Sequence, residues 1–371
     1  MFQPHFAYTH EIVRDLMNIE RCRTSLEYLQ LPTRVRQELA FHAKMKSTHF
    51  STSIEGNLLS YDQVERVICE KGRNTKINAE QEVLNYWNAL TFLEQASEEK
   101  LPVTLDFIRR LHGIIVQKGK TPKRSAFRQA MPPGVLFAVF DSQTRTPEYI
   151  PPEWKEVEPL MKDLTDWYRD EDQLPLPVKA AIFFYQFVTI HPFEDGNGRT
   201  ARALATYILM IHGYNFRGFN SMEEYYAMDL KGYYENIQMG LPILYYEGRN
   251  EPPHLEIWVG FFLRIMALCA EKIYSVAKDA TKQKPSNPLV SSLTPKDRKM
   301  LRFVLENHLE QIRTKDLADL FHVTPRAISD LCKDWCDRKI LVPNRKNIRV
   351  SSYSLAEPFR NMDLNELGFA D

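Results

Sequence analysis

The stretch Val178-Lys179-Ala180-Ala181-Ile182-Phe183-Phe184-Tyr185-Gln186-Phe187-Val188-Thr189-Ile190 runs directly into His191-Pro192-Phe193-Glu194-Asp195-Gly196-Asn197-Gly198-Arg199-Thr200-Ala201-Arg202. The first part is almost wholly apolar, which predicts a helix over 178–190 buried on every side at the centre of a bundle. His191-Pro192 ends it, because a residue before proline is pushed out of the helical region. A second helix is predicted over 199–212, with Leu204, Ile208 and Leu209 facing inward and Gly213 as its C-terminal stop. Two packed helices with a Gly-rich, charged loop between them set a mainly α fold.

Composition bounds the rest. The chain has 371 residues, 44% apolar and 26% charged, the balance of a globular protein with room for two or three cores. Lys plus Arg (48) equals Asp plus Glu (48), so no chain-wide basic field argues for nucleic acid or a membrane surface. Five scattered cysteines, Cys22, Cys69, Cys269, Cys332 and Cys336, argue against a secreted disulfide scaffold and for a reducing cytoplasm. Cys332 and Cys336 are spaced for one helix face, not for a zinc knuckle, and no zinc is expected. Met1 to Tyr8 lacks a basic region followed by an apolar stretch, so no signal peptide is expected. The most apolar stretch, 180–190, covers about half of the roughly 20 residues that a membrane span needs.

Working outward from the central helices, near-helical spacing of Val35, Leu39, Ala43 and Met45 predicts a helix over 33–50 with Thr33 as its cap. It should end in the loop Ser51-Thr52-Ser53-Ile54-Glu55-Gly56-Asn57. Helices follow over 61–71, 77–96 and 104–117, and later over 153–170, 221–240 and 255–278. Between them, Val135 to Phe140 has strand composition, Asp141 to Thr144 supplies turn formers, and Glu148-Tyr149-Ile150 returns, which predicts a short hairpin. Lys278 to Ser292 reads as a linker. Beyond it the order is helix, helix, turn, helix, strands. Thr324 caps a helix from Pro325 to Arg338, and 340–342 and 348–350 are read as the strands of a wing, the pattern of a winged helix-turn-helix.

The loop carries the chemistry. Gly196 and Gly198 let backbone approach a ligand, and the amides at the start of the following helix favour an anion. A phosphate cradle results. Arg199 and Arg202, three apart, share a helix face where two guanidinium groups can grip phosphates. Asp195 suits magnesium held jointly by one carboxylate and the phosphates. His191, fixed at the end of a buried helix, can take a proton from an incoming hydroxyl. Together these groups point to phosphoryl-type transfer.

At these residues the chain resembles the Fic family, whose signature His-x-Phe-x-Asp/Glu-Gly-Asn-Gly-Arg-x-x-Arg is matched at every defined position. The resemblance covers roughly residues 30–250. It implies a Fic-type helical bundle with a β-hairpin flap and AMP transfer from ATP to Ser, Thr or Tyr hydroxyls of target proteins and of the chain itself. His191 is then the base, Asp195 holds Mg2+, Gly196, Asn197 and Gly198 bind phosphate with Arg199, and Arg202 reaches the terminal phosphate. The resemblance further implies that the hairpin pins the protein substrate by strand addition, with Tyr149 on it. It places Tyr233 and Tyr234 beside the adenine. The segment Arg124-Ser125-Ala126-Phe127-Arg128 departs from the family's Pro-Gly-x-Phe-Arg at the flap entry. Ser51-x-x-x-Glu55-Gly56 resembles the family's inhibitory motif, which implies that Glu55 pairs with Arg202 and blocks productive ATP binding.

The expected organisation is therefore an N-terminal helical region with the inhibitory motif (1–100), a catalytic core (101–255), a helix and linker (256–292) and a winged-helix domain (293–371). Two rival readings stand beside AMP transfer: removal of AMP from modified proteins at the same site, and a DNA-binding regulator with a subordinate Fic core. For the winged helix, Lys296 to Arg349 carries 13 Lys plus Arg against 8 Asp plus Glu. Asp330, Asp334 and Asp337 on its presumed recognition helix would repel phosphates, so DNA and protein both stand as partners. Partners in a membrane are not expected, and a homo-oligomer is compatible with the sequence.

Overall fold

In the computed structural model the apolar run is a helix, Leu176–Ile190, in which all side chains from Pro177 to Phe187 are buried. Pro177 lies in the first turn, where a missing N–H leaves no intrahelical bond unmade. Burial of Ile182, Phe183, Phe184 and Phe187 stabilises the bundle by about 1.5–3 kcal/mol each. The structure describes residues 2–31, 33–70, 78–118, 121–140, 146–218, 220–243, 251–282, 293–346, 349–357 and 359–362.

The described chain falls into two compact units, one up to Thr281 and one from Lys282. In chain order the first holds α1 (His10–Tyr28), α2 (Thr33–Ile54), α3 (Tyr61–Cys69), α4 (Asn78–Glu98), α5 (Leu105–Ile115), β1 (Val139–Phe140), β2 (Pro147–Tyr149), α6 (Trp154–Asp170), α7 (Leu176–Ile190), α8 (Asn197–Ile211), α9 (Met222–Met228), α10 (Leu230–Gln238) and α11 (Leu255–Lys282). Around α7 pack α8, α6 and α11. Trp258 of α11 stacks on Phe184 with ring centroids 5.0 Å apart and donates from Nε1 to the Ala181 carbonyl at 2.8 Å.

Several elements differ from the expectations. Helix α1 was not expected: Thr9 caps it, and Ile12, Ile19, Cys22 and Leu26 bury one narrow stripe of an otherwise polar segment. Helix α2 runs to Ile54 rather than ending near Phe50, so Ser51 lies on its last turn and the loop is shorter than predicted. The helix predicted over 221–240 is two helices, because Asp229 leaves the helical region and caps the second through Gly232 N–H at 3.0 Å. The flap pairs β1 with β2 antiparallel over Val139 to Phe140 only, while Val135 and Leu136 lie exposed before the strand. Its turn residues 141–144 lie outside the described residues. Helix α8 begins at Asn197, and Gly213 follows its end with φ +81°.

The second unit holds α12 (Pro295–Glu306), α13 (Thr314–Phe321), α14 (Pro325–Asp337), β3 (Leu341–Lys346) and β4 (Arg349–Leu355). Its strands pair antiparallel over longer spans than the sequence suggested. Thr324 Oγ1 caps α14 through Ala327 N–H at 3.4 Å. A core of Met300, Leu301, Val304, Leu317, Ile328, Cys332 and Trp335 is anchored by Asp297, which accepts from Trp335 Nε1 at 2.7 Å and Arg338 Nη1 at 3.0 Å. Ile348 and the linker residues 283–292 lie outside the described residues. Among the described residues no helix is long and apolar enough to cross a membrane.

Candidate active site

The candidate site forms where α7 ends and α8 begins. His191 caps α7 in the left-handed region, φ 49° and ψ 62°, with its N–H still bonded to the Phe187 carbonyl at 3.0 Å. Proline at 192 forbids helical continuation, so the backbone turns here and aims the imidazole off the helix end. The turn is held from outside by Arg128, whose Nε donates to the His191 carbonyl and whose N–H donates to the Pro192 carbonyl, both at 2.9 Å. Burial pushes the His191 imidazole down to about 4, only partly offset by the Val188 carbonyl, so it is neutral near pH 7.

The next residues form a closed loop. Asn197 accepts from Phe193 N–H at 3.0 Å through Oδ1 and donates to the Phe193 carbonyl at 2.8 Å through Nδ2. Phe193, 1% exposed, stacks on His112 at 3.6 Å with the rings 12° from parallel. His112 Nε2 lies 2.8 Å from the Asp195 carbonyl, and Nδ1 lies 2.6 Å from Ser125 Oγ. A carbonyl can only accept, so Nε2 carries the proton and Nδ1 accepts from Ser125. The neutral state this requires agrees with the burial that pushes His112 down to about 4. His112, which no sequence pattern singles out, is a strut of the loop. Arg128 was likewise missed, although it ends the Phe127-Arg128 pair that fits the family's pattern.

Gly196 has φ +74°, and a Cβ there would meet Val116 Cγ1 at 2.8 Å, so this position needs glycine on both counts. At Gly198 a Cβ would lie 2.4 Å from Glu55 Oε1. The first turn of α8 therefore carries no side chain of its own at Gly198, as an anion cradle requires, and the space in front of it holds the Glu55 carboxylate. Asp195 projects outward with 77% of its side chain exposed, 3.3 Å from Arg199 Nη2. An open carboxylate beside the cradle fits magnesium, which takes one carboxylate and completes its shell from phosphates and water. No group of three or more His, Cys, Asp or Glu side chains comes together among the described residues.

Arg199 and Arg202 do not act as a matched pair in this state. Arg199 turns toward Asp195, whereas Arg202 is buried and faces α2. Arg202 Nε donates to Ser51 Oγ and Nη2 to the Ser51 carbonyl, each at 2.9 Å, and Nη2 also meets Glu55 Oε1 at 2.8 Å. Burial alone would lower the Arg202 pKa, but Glu55 and the nearby tyrosines outweigh it and keep the group cationic. Tyr233 OH lies 3.5 Å from Arg202 Nη1 and is buried, while Tyr234 beside it is partly exposed. Tyr149 of β2 donates to the Thr189 carbonyl at 2.8 Å, tying the flap to the last turn of α7. All of the sequence-derived site residues thus border one region. A separate groove of about 620 Å³, lined by Phe127, Arg128, Trp154, Lys162 and others, shares Arg128 but holds none of His191, Asp195 or Arg202.

Comparison with known proteins gives the same picture. Residues 102–209 match the model of the Fic/DOC family. Protein adenylyltransferase fic-1 of Caenorhabditis elegans is 32% identical over 226 residues, which cover 57% of this chain and 41% of that protein. Protein adenylyltransferase Fic of Drosophila virilis is 27% identical over 205 residues, 54% of this chain and 40% of that protein. The chain thus spans about two-fifths of the length of these curated relatives. Among solved structures, a Fic family protein from Desulfovibrio desulfuricans G20 superposes with a TM-score of 0.61 at 20% identity, covering 96% of this chain and 99% of that one. Fic-1 (residues 134–508) from C. elegans superposes with a TM-score of 0.55 at 25% identity, covering 73% of each chain.

Proposed function

We propose, from the premise that residues 102–209 are a Fic domain, that this chain is a nucleotidyltransferase that moves AMP from ATP to hydroxyl groups of proteins, itself included. The observation that carries the reading is the preformed turn that sets a neutral imidazole, an open carboxylate and a glycine-lined helix N-terminus around one space.

In this reading the amides before Arg199 and the two arginines hold the triphosphate, and Asp195 shares a magnesium ion with it. That ion would neutralise phosphate charge and orient the leaving group. The target hydroxyl, presented along the flap, attacks the α-phosphorus. The new O–P bond forms as the bond to the bridging oxygen of the β-phosphate breaks, pyrophosphate leaves, and the hydroxyl proton passes to His191. Arg128 and Pro192 fix the His191 backbone, so the imidazole needs no reorganisation before accepting that proton. Glu55 is the inhibitory carboxylate: it occupies Arg202 donors that the terminal phosphate needs.

The reading is tested with purified protein, magnesium and ATP labelled at either the α- or the γ-phosphate. Protein label is expected from the α-position alone. Label from the γ-position would indicate a kinase, and no protein label with Glu55→Gly in host lysate would sink the proposal.

A further inference from the structure

Ser47 and Ser51 on α2 and Glu55 just past its end are four apart and form one polar stripe. All three end on charges contributed by other helices. Glu55 and Ser51 meet Arg202, as described, and Ser47 Oγ donates to Glu223 Oε2 of α9 at 2.9 Å. Glu223 is 2% exposed and also accepts from Tyr86 OH of α4 at 3.3 Å. Ser51 accepts from Arg202 Nε, while Glu223 accepts from both Ser47 and Tyr86, so this carboxylate ties the inhibitory helix to α4 one turn before Ser51. Beside it, Glu224 pairs with Lys46 of α2 at 3.0 Å.

We infer that Glu223 is the positioning residue of the inhibitory helix: by holding Ser47 directly and bracing it against Tyr86, it sets the last two turns of α2 at the depth where Glu55 meets Arg202. The inference rests on the inhibitory reading of Glu55. A buried carboxylate with no cation paired to it among the described residues is otherwise a costly choice, which leucine would avoid. It has no contact with His191 or the cradle among the bonds formed, and so acts through α2.

The test is a double-mutant cycle in the full-length chain. Glu223→Ala is made with Glu55 intact and in Glu55→Gly, and initial self-labelling rate and ATP dissociation constant are read for each. With Glu55 intact, Glu223→Ala should raise labelling and tighten ATP by about threefold to tenfold, the scale of one or two lost buried bonds. In Glu55→Gly it should add nothing, and Glu223→Gln, which can keep both contacts by rotation of the hydroxyls, should restore inhibition. Should Glu223→Ala fold poorly, Ser47→Ala removes one donor only and should shift labelling the same way by about threefold.

An equal effect in both backgrounds, or weaker ATP binding in both, would overturn the inference and assign Glu223 to the orientation of Arg202. Amide exchange separates this failure from that of the inhibitory reading. The N–H groups of Glu55, Gly56 and Asn57 are bonded to Thr52 and Ser53 carbonyls. Even if Glu55→Gly left ATP affinity unchanged, Glu223→Ala should speed their exchange by about tenfold, and unchanged exchange would refute the positioning role.

Discussion

His191 illustrates how one side chain is prepared by its backbone. The left-handed cap, the proline after it and the two Arg128 bonds fix its place, so its substitution should affect chemistry more than binding. His191→Ala is expected to lower transfer by about 10²–10⁴-fold while leaving the ATP dissociation constant within about twofold. Parallel loss of ATP affinity in a calorimetric titration would contradict this. The depressed pKa gives a second expectation. Because the folded value lies near 4 rather than at the ordinary 6.5, the neutral, proton-accepting form persists as pH falls. The acid limb of the rate profile of Glu55→Gly, at saturating ATP, should therefore have its midpoint well below 6.5. The same shift means that the folded state loses stability as pH drops from 6.5 toward 4, since the unfolded chain takes up the proton first.

At the scale of elements, the pairing of Glu55 with Arg202 joins α2 to α8. Replacing Glu55 by Gly should raise labelling by one to two decades, for a closed state favoured by about 1.4–2.8 kcal/mol. Arg202→Ala in that background should remove the gain, and equal rates for wild type and Glu55→Gly over a range of ATP would leave Glu55 as a cap residue. Much of this element pair was legible in the sequence. The Gly-Asn-Gly spacing, the two arginines and the apolar run before them are local signals, and each came out at or within two residues of its expected place. Helix α1 was not legible, because one narrow stripe of four apolar side chains in nineteen residues barely stands above its polar surroundings. Neither were the struts: His112 and Arg128 bond loop residues 83 and 63 positions away, and Tyr86 and Glu223 meet across 137 positions, in ways that no periodicity encodes.

At the scale of the whole molecule, the two units have separate cores and should respond separately to damage. Asp297 is the polar anchor of the second. Asp297→Ala leaves Trp335 Nε1 without its acceptor and Arg338 with Asp334 alone, and is expected to destabilise that unit by about 2 kcal/mol, seen as an earlier transition in calorimetry. The transition of the first unit and its ATP binding should not move. Binding of duplex DNA by the second unit is tested in the same preparation: a salt-sensitive mobility shift lost in Arg326→Ala with Lys333→Ala would favour a nucleic-acid partner, and its absence a protein one.

The missing side chain at position 198 has a consequence for how such a chain can change. The hollow in front of Gly198 is filled at present by a carboxylate oxygen, close enough to exclude even a methyl group. Under the proposed mechanism the same hollow later admits a phosphate, so internal brake and external substrate are tenants of one vacancy. A mutation that narrows it evicts both, and the chain gains no freedom by losing its inhibitor this way. Release without harm has to come from the other wall, by retreat of α2 or loss of Glu55, which places viable gain-of-function changes in that helix and the residues that hold it and spares the loop.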